Sequence, residues 1–168
     1  MTATRTWALA EFNSAPVDGP LGDALRAVCS AGRWVHGVIA RRPYADLAGL
    51  LAGSDEVTLA LDDAALTEAL AGHPRIGERG ESAWSRQEQR GAADADEALR
   101  AQLAAANGEY EHRFGHVYLV CATGKSAAEL LSICQSRLQN SPDAERAVVR
   151  EELAKINRIR LTKLVGAR

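Results

Sequence analysis

No tract of lysine and arginine interrupts this 168-residue chain; acids and bases are spread along it and leave a formal net charge of −2. That excludes the electrostatic footprint of a nucleic-acid or anionic-membrane binder. Only a helix-turn-helix in a neutral protein escapes this argument. Long apolar runs are also missing: none approaches the ~18 residues of a membrane-crossing helix. The opening MTATRTWALAEFNSAP has no basic region followed by an apolar one. A cytoplasmic protein without nucleic-acid or membrane partners is expected. Cysteine is scarce. Cys29, Cys121 and Cys134 form no Cys-x-x-Cys, which excludes a disulfide framework and a cysteine zinc site. They read as buried small apolar residues. Cys121, in the apolar run VYLVCA, is a nucleophile by residue type, but no base is visibly paired with it. Internal repeats, linkers and low-complexity segments are absent. With 46% apolar and 25% charged residues, residues 1–168 read as a single domain.

What is present is mostly helix. TWALAEFNSA, PLGDALRAVCSA, RWVHGVIARR and YADLAGLLAGS carry apolar residues three and four apart between Gly, Pro, Ser and Asn punctuation. Pro20 suits a first helical turn. In DDAALTEALAGHP, Asp62 or Asp63 caps a helix expected to stop on a left-handed Gly72. Ser82 is the expected cap of a short helix through Gln89, closed by Gly91. Asp94, three residues before Glu97, opens a longer helix ending near Phe114. VYLVCA has strand composition but no second strand to pair with, and so reads as a buried extended segment. Ser126 with Glu129, and Ser141 with Pro142, start two further helices. The expected fold is an all-α bundle of about eight helices.

The polar, glycine-rich stretch GHPRIGERGESAWSRQEQRGA lies between ordinary helices. Pro74 disfavours helical backbone at His73 and stiffens its loop. A titratable ring in a stiff loop suits proton transfer, although a loop histidine is equally compatible with a structural or exposed place. Ser85, Glu88 and Gln89 stand at i, i+3 and i+4, so they share one helix face that projects into either a cavity or solvent.

Other patterns compete. His112 and His116 are four apart, with Glu109 nearby, but Gly115 falls between the histidines and is expected to end the helix. ATGKS resembles the tail of a phosphate loop, yet the glycine needed five residues before Gly124 is Leu119. A turn and a helix cap remain. Arg158 and Arg160 flank an apolar stripe of Ile156, Ile159 and Leu164; each either lays its stem over the core or clamps a carboxylate or urea-like carbonyl.

GHPRIGE, SRQEQ followed by Gly91, EYEHRFGHVYLVCATGKSAAELL and ELAKINRIRLTKLV resemble, in order and spacing, the decarboxylases of 2-oxo-4-hydroxy-4-carboxy-5-ureidoimidazoline (OHCU). RRPYADLAGLL is similar to that family's Arg-Pro-Phe-x-Asp-Leu element. The resemblance implies an all-α enzyme of urate breakdown that forms (S)-allantoin from a small-molecule substrate, without cofactor or metal. It implies proton-transfer roles for His73 and Glu88, and side-chain substrate contacts by Ser85, Gln89 and Arg160. Main-chain contacts fall on Pro74 and on Tyr118, Leu119, Val120, Cys121 and Ala122. Family analogy points to a homodimer, although no residue pattern here sets the oligomeric state. Two departures stand out: FGHVY where many members have Phe-Gly-Phe-Pro-Phe, and HPRI where many have His-Pro-Asp-Leu. Glu88 is open to two roles, orienting His73 or repelling the substrate carboxylate. The alternative is a non-catalytic helical ligand-binding or regulatory interaction module.

Overall fold

The computed structural model describes residues 5–78, 83–93 and 96–166. Among them are ten helices and no strand. They gather into two compact units, one of residues 1–69 with 154–168, the other of residues 70–153.

The first unit holds α1 (Leu9–Ser14), α2 (Pro20–Val28), α3 (Gly32–Ala40), α4 (Leu47–Leu59), most of α5 (Asp63–Leu70) and the C-terminal part of α10 (Pro142–Val165). Pro20 opens α2 at a position where its missing N–H is not needed. The i, i+4, i+7 stripe Leu21, Leu25 and Val28 is fully buried. Trp34 is buried too, and its indole N–H finds Ser54 Oγ at 3.2 Å. RRPYADL acts as a fastener. Arg42 donates to the carbonyls of Phe12 (3.0 Å) and Ala15 (2.7 Å), Tyr44 exchanges two bonds with Asn13, and Asp46 caps α4 by accepting from Gly49 N at 2.7 Å.

Of the two candidate caps for α5, Asp62 serves: its Oδ1 accepts from Ala65 N at 2.8 Å. The expected left-handed stop at Gly72 is not found. Gly72 is not among the positive-φ glycines, because the chain leaves α5 through a turn closed by His73 N–H to the Leu70 carbonyl (3.0 Å), which needs no left-handed residue.

The second unit holds α6 (Ala83–Glu88), α7 (Arg90–Ala93), α8 (Glu97–Phe114), α9 (Ala127–Arg137) and the start of α10. Its core joins Ile76, Leu103, Tyr110, Tyr118, Leu130 and Cys134. Ser82 and Asp94, the expected caps of α6 and α8, lie outside the described residues. Helix α8 starts later than expected, capped by Asp96, whose Oδ1 accepts from Leu99 N at 2.7 Å. Gly115 ends it at φ +78°, as the sequence predicts. Ser126 and Glu129 form a reciprocal capping box on α9, and Ser141 Oγ accepts from Ala144 N (3.2 Å) at the start of α10. Residues 117–122 link α8 and α9 without regular secondary structure, and Tyr118 to Ala122 are buried, as the sequence predicts.

Gly91 corrects the sequence reading. It does not close α6 but lies inside α7, where a Cβ would overlap the Lys125 carbonyl oxygen. Its absent side chain is what lets α7 lie against the 122–126 turn. Gly91→Ala should therefore cost about 1–3 kcal/mol, the range for forced overpacking. Gly108, within α8, has open space where its Cβ would stand, so Gly108→Ala should stabilise by up to ~1 kcal/mol. Urea midpoints of the two variants should move in opposite directions at unchanged slope.

Candidate active site

Three segments of the second unit carry ten of the eleven residues expected at a site. The first is the loop after α5. His73 and Pro74 are half-buried in it. Arg75 forms a two-pronged ion pair with Glu111 (Nε to Oε1 2.6 Å, Nη2 to Oε2 3.1 Å) and reaches Glu78 at 3.2 Å. Ile76 is buried, and its carbonyl accepts from Asn107 Nδ2 at 2.7 Å. Gly77, at φ +91°, turns the chain and donates its N–H to Gln89 Oε1 at 2.9 Å. Three successive residues after Pro74 thus hold the loop.

The second segment is α6 with Gln89. The i, i+3 spacing does bring a hydroxyl and a carboxylate inward: Ser85 is 4% and Glu88 9% exposed. Gln89 N–H bonds to the Ser85 carbonyl at 3.2 Å, continuing the helical turn, while the Gln89 side chain ties α6 to the His73 loop. Glu88 lines an open cavity of about 550 Å³ with Arg90, Gly91, Thr123, Lys125 and Glu129.

The third is the irregular segment Tyr118–Ala122. Burial removes its peptide groups from water, no strand lies beside it among the described residues, and side chains pair several of them. Arg137 Nη1 donates to the Leu119 carbonyl (2.7 Å), Lys125 Nζ to the Cys121 carbonyl (2.7 Å), and Glu152 Oε2 accepts from Cys121 N (3.4 Å). Tyr118 OH donates to the Leu130 carbonyl at 2.9 Å. Arg137, Lys125 and Glu152 were missed in the sequence. A signal existed: Arg137 continues the stripe Leu130, Cys134 at i+4 and i+7, and Glu145 and Glu152 flank Val149 at the same spacing, so charges occupy positions a hydrophobe would fill.

Arg160 belongs to the other unit. It is buried at 3% exposure, donates to the Val28 carbonyl at 3.0 Å and neighbours Cys29. Arg158 is exposed and paired with Asp55. The metal-like spacing does not assemble: Gly115 ends α8 between His112 and His116, and His116 instead packs edge-on to Tyr110 and stacks on Phe114. Among the described residues no group of three or more His, Cys, Asp or Glu is placed to hold a metal. No helix among them is long and apolar enough to cross a membrane.

All three cysteines are buried. Burial pushes the Cys121 thiol up; Lys125 pulls the other way, and Glu152 and Glu88 add to the rise. Burial likewise raises Cys134, to about 11. A raised thiol pKa leaves less thiolate near neutrality, and the thiolate is the reactive form. The native protein should therefore resist iodoacetamide at pH 7.5, with all three thiols reacting only after denaturation. Fast alkylation of native Cys121, read by mass spectrometry, would return it to consideration as a nucleophile.

Comparison with known proteins supplies what local geometry does not. The uric acid degradation bifunctional protein TTL of Arabidopsis thaliana is 31% identical over 106 residues, 58% of this chain and 32% of that protein. The 2-oxo-4-hydroxy-4-carboxy-5-ureidoimidazoline decarboxylase of Amia calva is 35% identical over 72 residues, 43% of this chain and 40% of that protein. The chain thus spans only about a third to two fifths of the length of these two relatives. A crystal structure of an OHCU decarboxylase in the presence of (S)-allantoin superposes with a TM-score of 0.76, at 21% identity, covering 86% of this chain and 99% of that one. A crystal structure of an (S)-allantoin synthase gives 0.73 at 15% identity, over 95% of this chain and 54% of that one. These two likenesses speak for the fold. The OHCU decarboxylase family itself matches residues 18–162, and on that match the chain belongs to this family.

Proposed function

We propose that the protein decarboxylates OHCU to (S)-allantoin without a cofactor. The family match over residues 18–162 carries this reading. It takes in residues of both units, which supports treating residues 1–168 as one domain. A cytoplasmic location and a homodimer belong to the same proposal.

The chemistry follows from the substrate. The carbon that loses carbon dioxide also carries a hydroxyl and adjoins an imine-like carbon. When the bond to the carboxylate breaks, its electron pair flows into the conjugated ring, where the imine-like nitrogen takes up a proton from the medium. The hydroxyl then gives up its proton as it becomes a carbonyl, and the adjacent carbon takes up a proton. The electron sink is in the substrate, so the protein has to hold the scissile bond across the ring plane and deliver one proton to one face. His73, in its fastened loop, is the group proposed to move that proton near neutral pH. Glu88 acts on the same event, either by orienting His73 or by pressing on the substrate carboxylate; both roles need a carboxylate withdrawn from solvent, as Glu88 is. Ser85, Gln89 and the peptide groups of Pro74 and residues 118–122 would hold the ring and ureido groups. Arg160 is proposed as a further ligand on the resemblance alone.

The test is to supply freshly generated OHCU and follow the circular dichroism of the product before it racemises. Uncatalysed decay protonates either face and gives a racemate, whereas a fixed proton source gives one enantiomer, expected to be S. His73→Ala and Glu88→Ala should each lower turnover by about 10² or more, the scale of a positioned acid or base. Racemic product at the blank rate from the wild type would favour the non-catalytic module. Undiminished turnover by either folded variant would remove that residue from the chemistry.

A further inference from the structure

Helix α9 carries an arginine where its apolar stripe calls for a hydrophobe, and Arg137 is as buried as its neighbours at 6% exposure. Its guanidinium uses both edges. Nε (2.7 Å) and Nη2 donate to Glu145 Oε1, while Nη1 donates to the Leu119 carbonyl at 2.7 Å. Its Cζ lies over the rings of Tyr118 and Tyr110, 5.1 and 5.7 Å from their centroids. Glu145 is fully buried and also accepts from Tyr110 OH and from Asn140 Nδ2 (3.0 Å).

Stability alone does not account for such a cluster. Replacing a buried ion pair with well-packed apolar side chains is often neutral or stabilising, because the charges no longer have to be desolvated. What a hydrophobe cannot do is hold a carbonyl. Leu119 lies next to Val120, Cys121 and Ala122 in the segment whose peptide groups are proposed to meet the substrate, and Arg137 holds it from the α9 side.

We propose that Arg137 is a positioning residue of this enzyme: backed by Glu145 and Tyr110, it fixes the main chain at Leu119 so that the adjoining peptide groups meet the substrate at the right depth. The proposal rests on the decarboxylase reading given above. It also specifies the side chain. A planar fork can bind Glu145 with one edge and Leu119 with the other; the single ammonium of lysine offers no such pair of edges.

Arg137→Lys keeps the charge beside Glu145 and gives up the fork. Assayed with fresh OHCU well below its unfolding temperature, it should raise KM on the order of tenfold, the equivalent of one charge-assisted hydrogen bond, with kcat within about threefold. Leu25→Ala, in a fully buried position of the other unit, controls for lost stability and should keep the wild-type KM. An unchanged KM in Arg137→Lys would overturn the proposal, as would an equal rise in Leu25→Ala. Should Arg137→Lys fail to fold, Glu145→Gln keeps the shape and weakens the support; it should raise KM about threefold or more, and an unchanged KM there would equally overturn the proposal. A wild type that does not accelerate OHCU decay fails the decarboxylase reading itself, which is a separate result from wild-type turnover with an unmoved Arg137→Lys.

Discussion

Irregular backbone, buried with no strand beside it among the described residues, is the constraint around which the second unit is organised. In Tyr118–Ala122 each residue is at most 6% exposed. A buried donor or acceptor left unpaired costs about 1–3 kcal/mol, so a few unmet groups would consume much of a small domain's stability. A sheet would normally pair them, and here long side chains do so. Arg137 and Lys125 supply donors to the Leu119 and Cys121 carbonyls, and Glu152 supplies an acceptor to the Cys121 amide. That solution brings charge into the core. The charge then needs its own partner, so Arg137 is matched by Glu145, which is shared with Tyr110 and Asn140. The phenol of Tyr110 is pushed well above its ordinary range, first by burial and then by its bond to Glu145, and it stays a neutral donor there.

The other site segments are joined to this framework through small contacts that leave no slack. Gly91 allows α7 to lie against the Lys125 carbonyl, so the turn after Ala122 meets side chain-free backbone of α7. Gln89 spans from α6 to Gly77, which connects the helix carrying Ser85 and Glu88 to the loop carrying His73. Arg75 and Ile76 anchor that loop to α8 at Glu111 and Asn107. Each tie restrains main chain close to a residue of the proposed chemistry. Catalytic groups held this way need little reorganisation when substrate arrives, the condition under which placement lowers a barrier.

What the sequence disclosed and what it withheld divide along local and non-local physics. Ser126 with Glu129, Pro20, Asp62 and Gly115 act through bonds or dihedrals within four residues of themselves, and each does in the structure what its neighbours in sequence imply. The inward face of Ser85 and Glu88 followed from spacing, although only the fold decides that the face is buried. Gly72 and Gly91 were misread for one reason: a glycine near a helix end suggests a left-handed stop, but a simple turn at residues 70–73 makes the first unnecessary, and a contact with Lys125, 34 residues away in the chain, explains the second. Arg137 and Glu145 were passed over because charge in a helix is ordinarily solvated. Their positions within apolar stripes were the legible part; the carbonyl they serve lies 18 residues before Arg137 and could not be read locally.

The proposed reaction makes this division intelligible. A substrate that contains its own electron sink asks the protein for no nucleophile, no metal and no electron carrier; it asks for a proton placed on one face and a surface that fixes the ring. Reactive motifs are therefore not where such a site announces itself: of the short patterns that look most like chemistry, ATGKS supplies a helix cap, and His116 of the His112–His116 spacing makes aromatic contacts. Buried thiols with raised pKa values fit the same economy, since only the peptide group of Cys121 is proposed to meet the substrate, while burial keeps its sulfur protonated. Stereochemical control then depends on distances between main-chain segments rather than on the intrinsic reactivity of any one side chain. In the proposed reaction, residues that set those distances, such as Gln89 and Arg137, would matter alongside the histidine proposed to carry the proton.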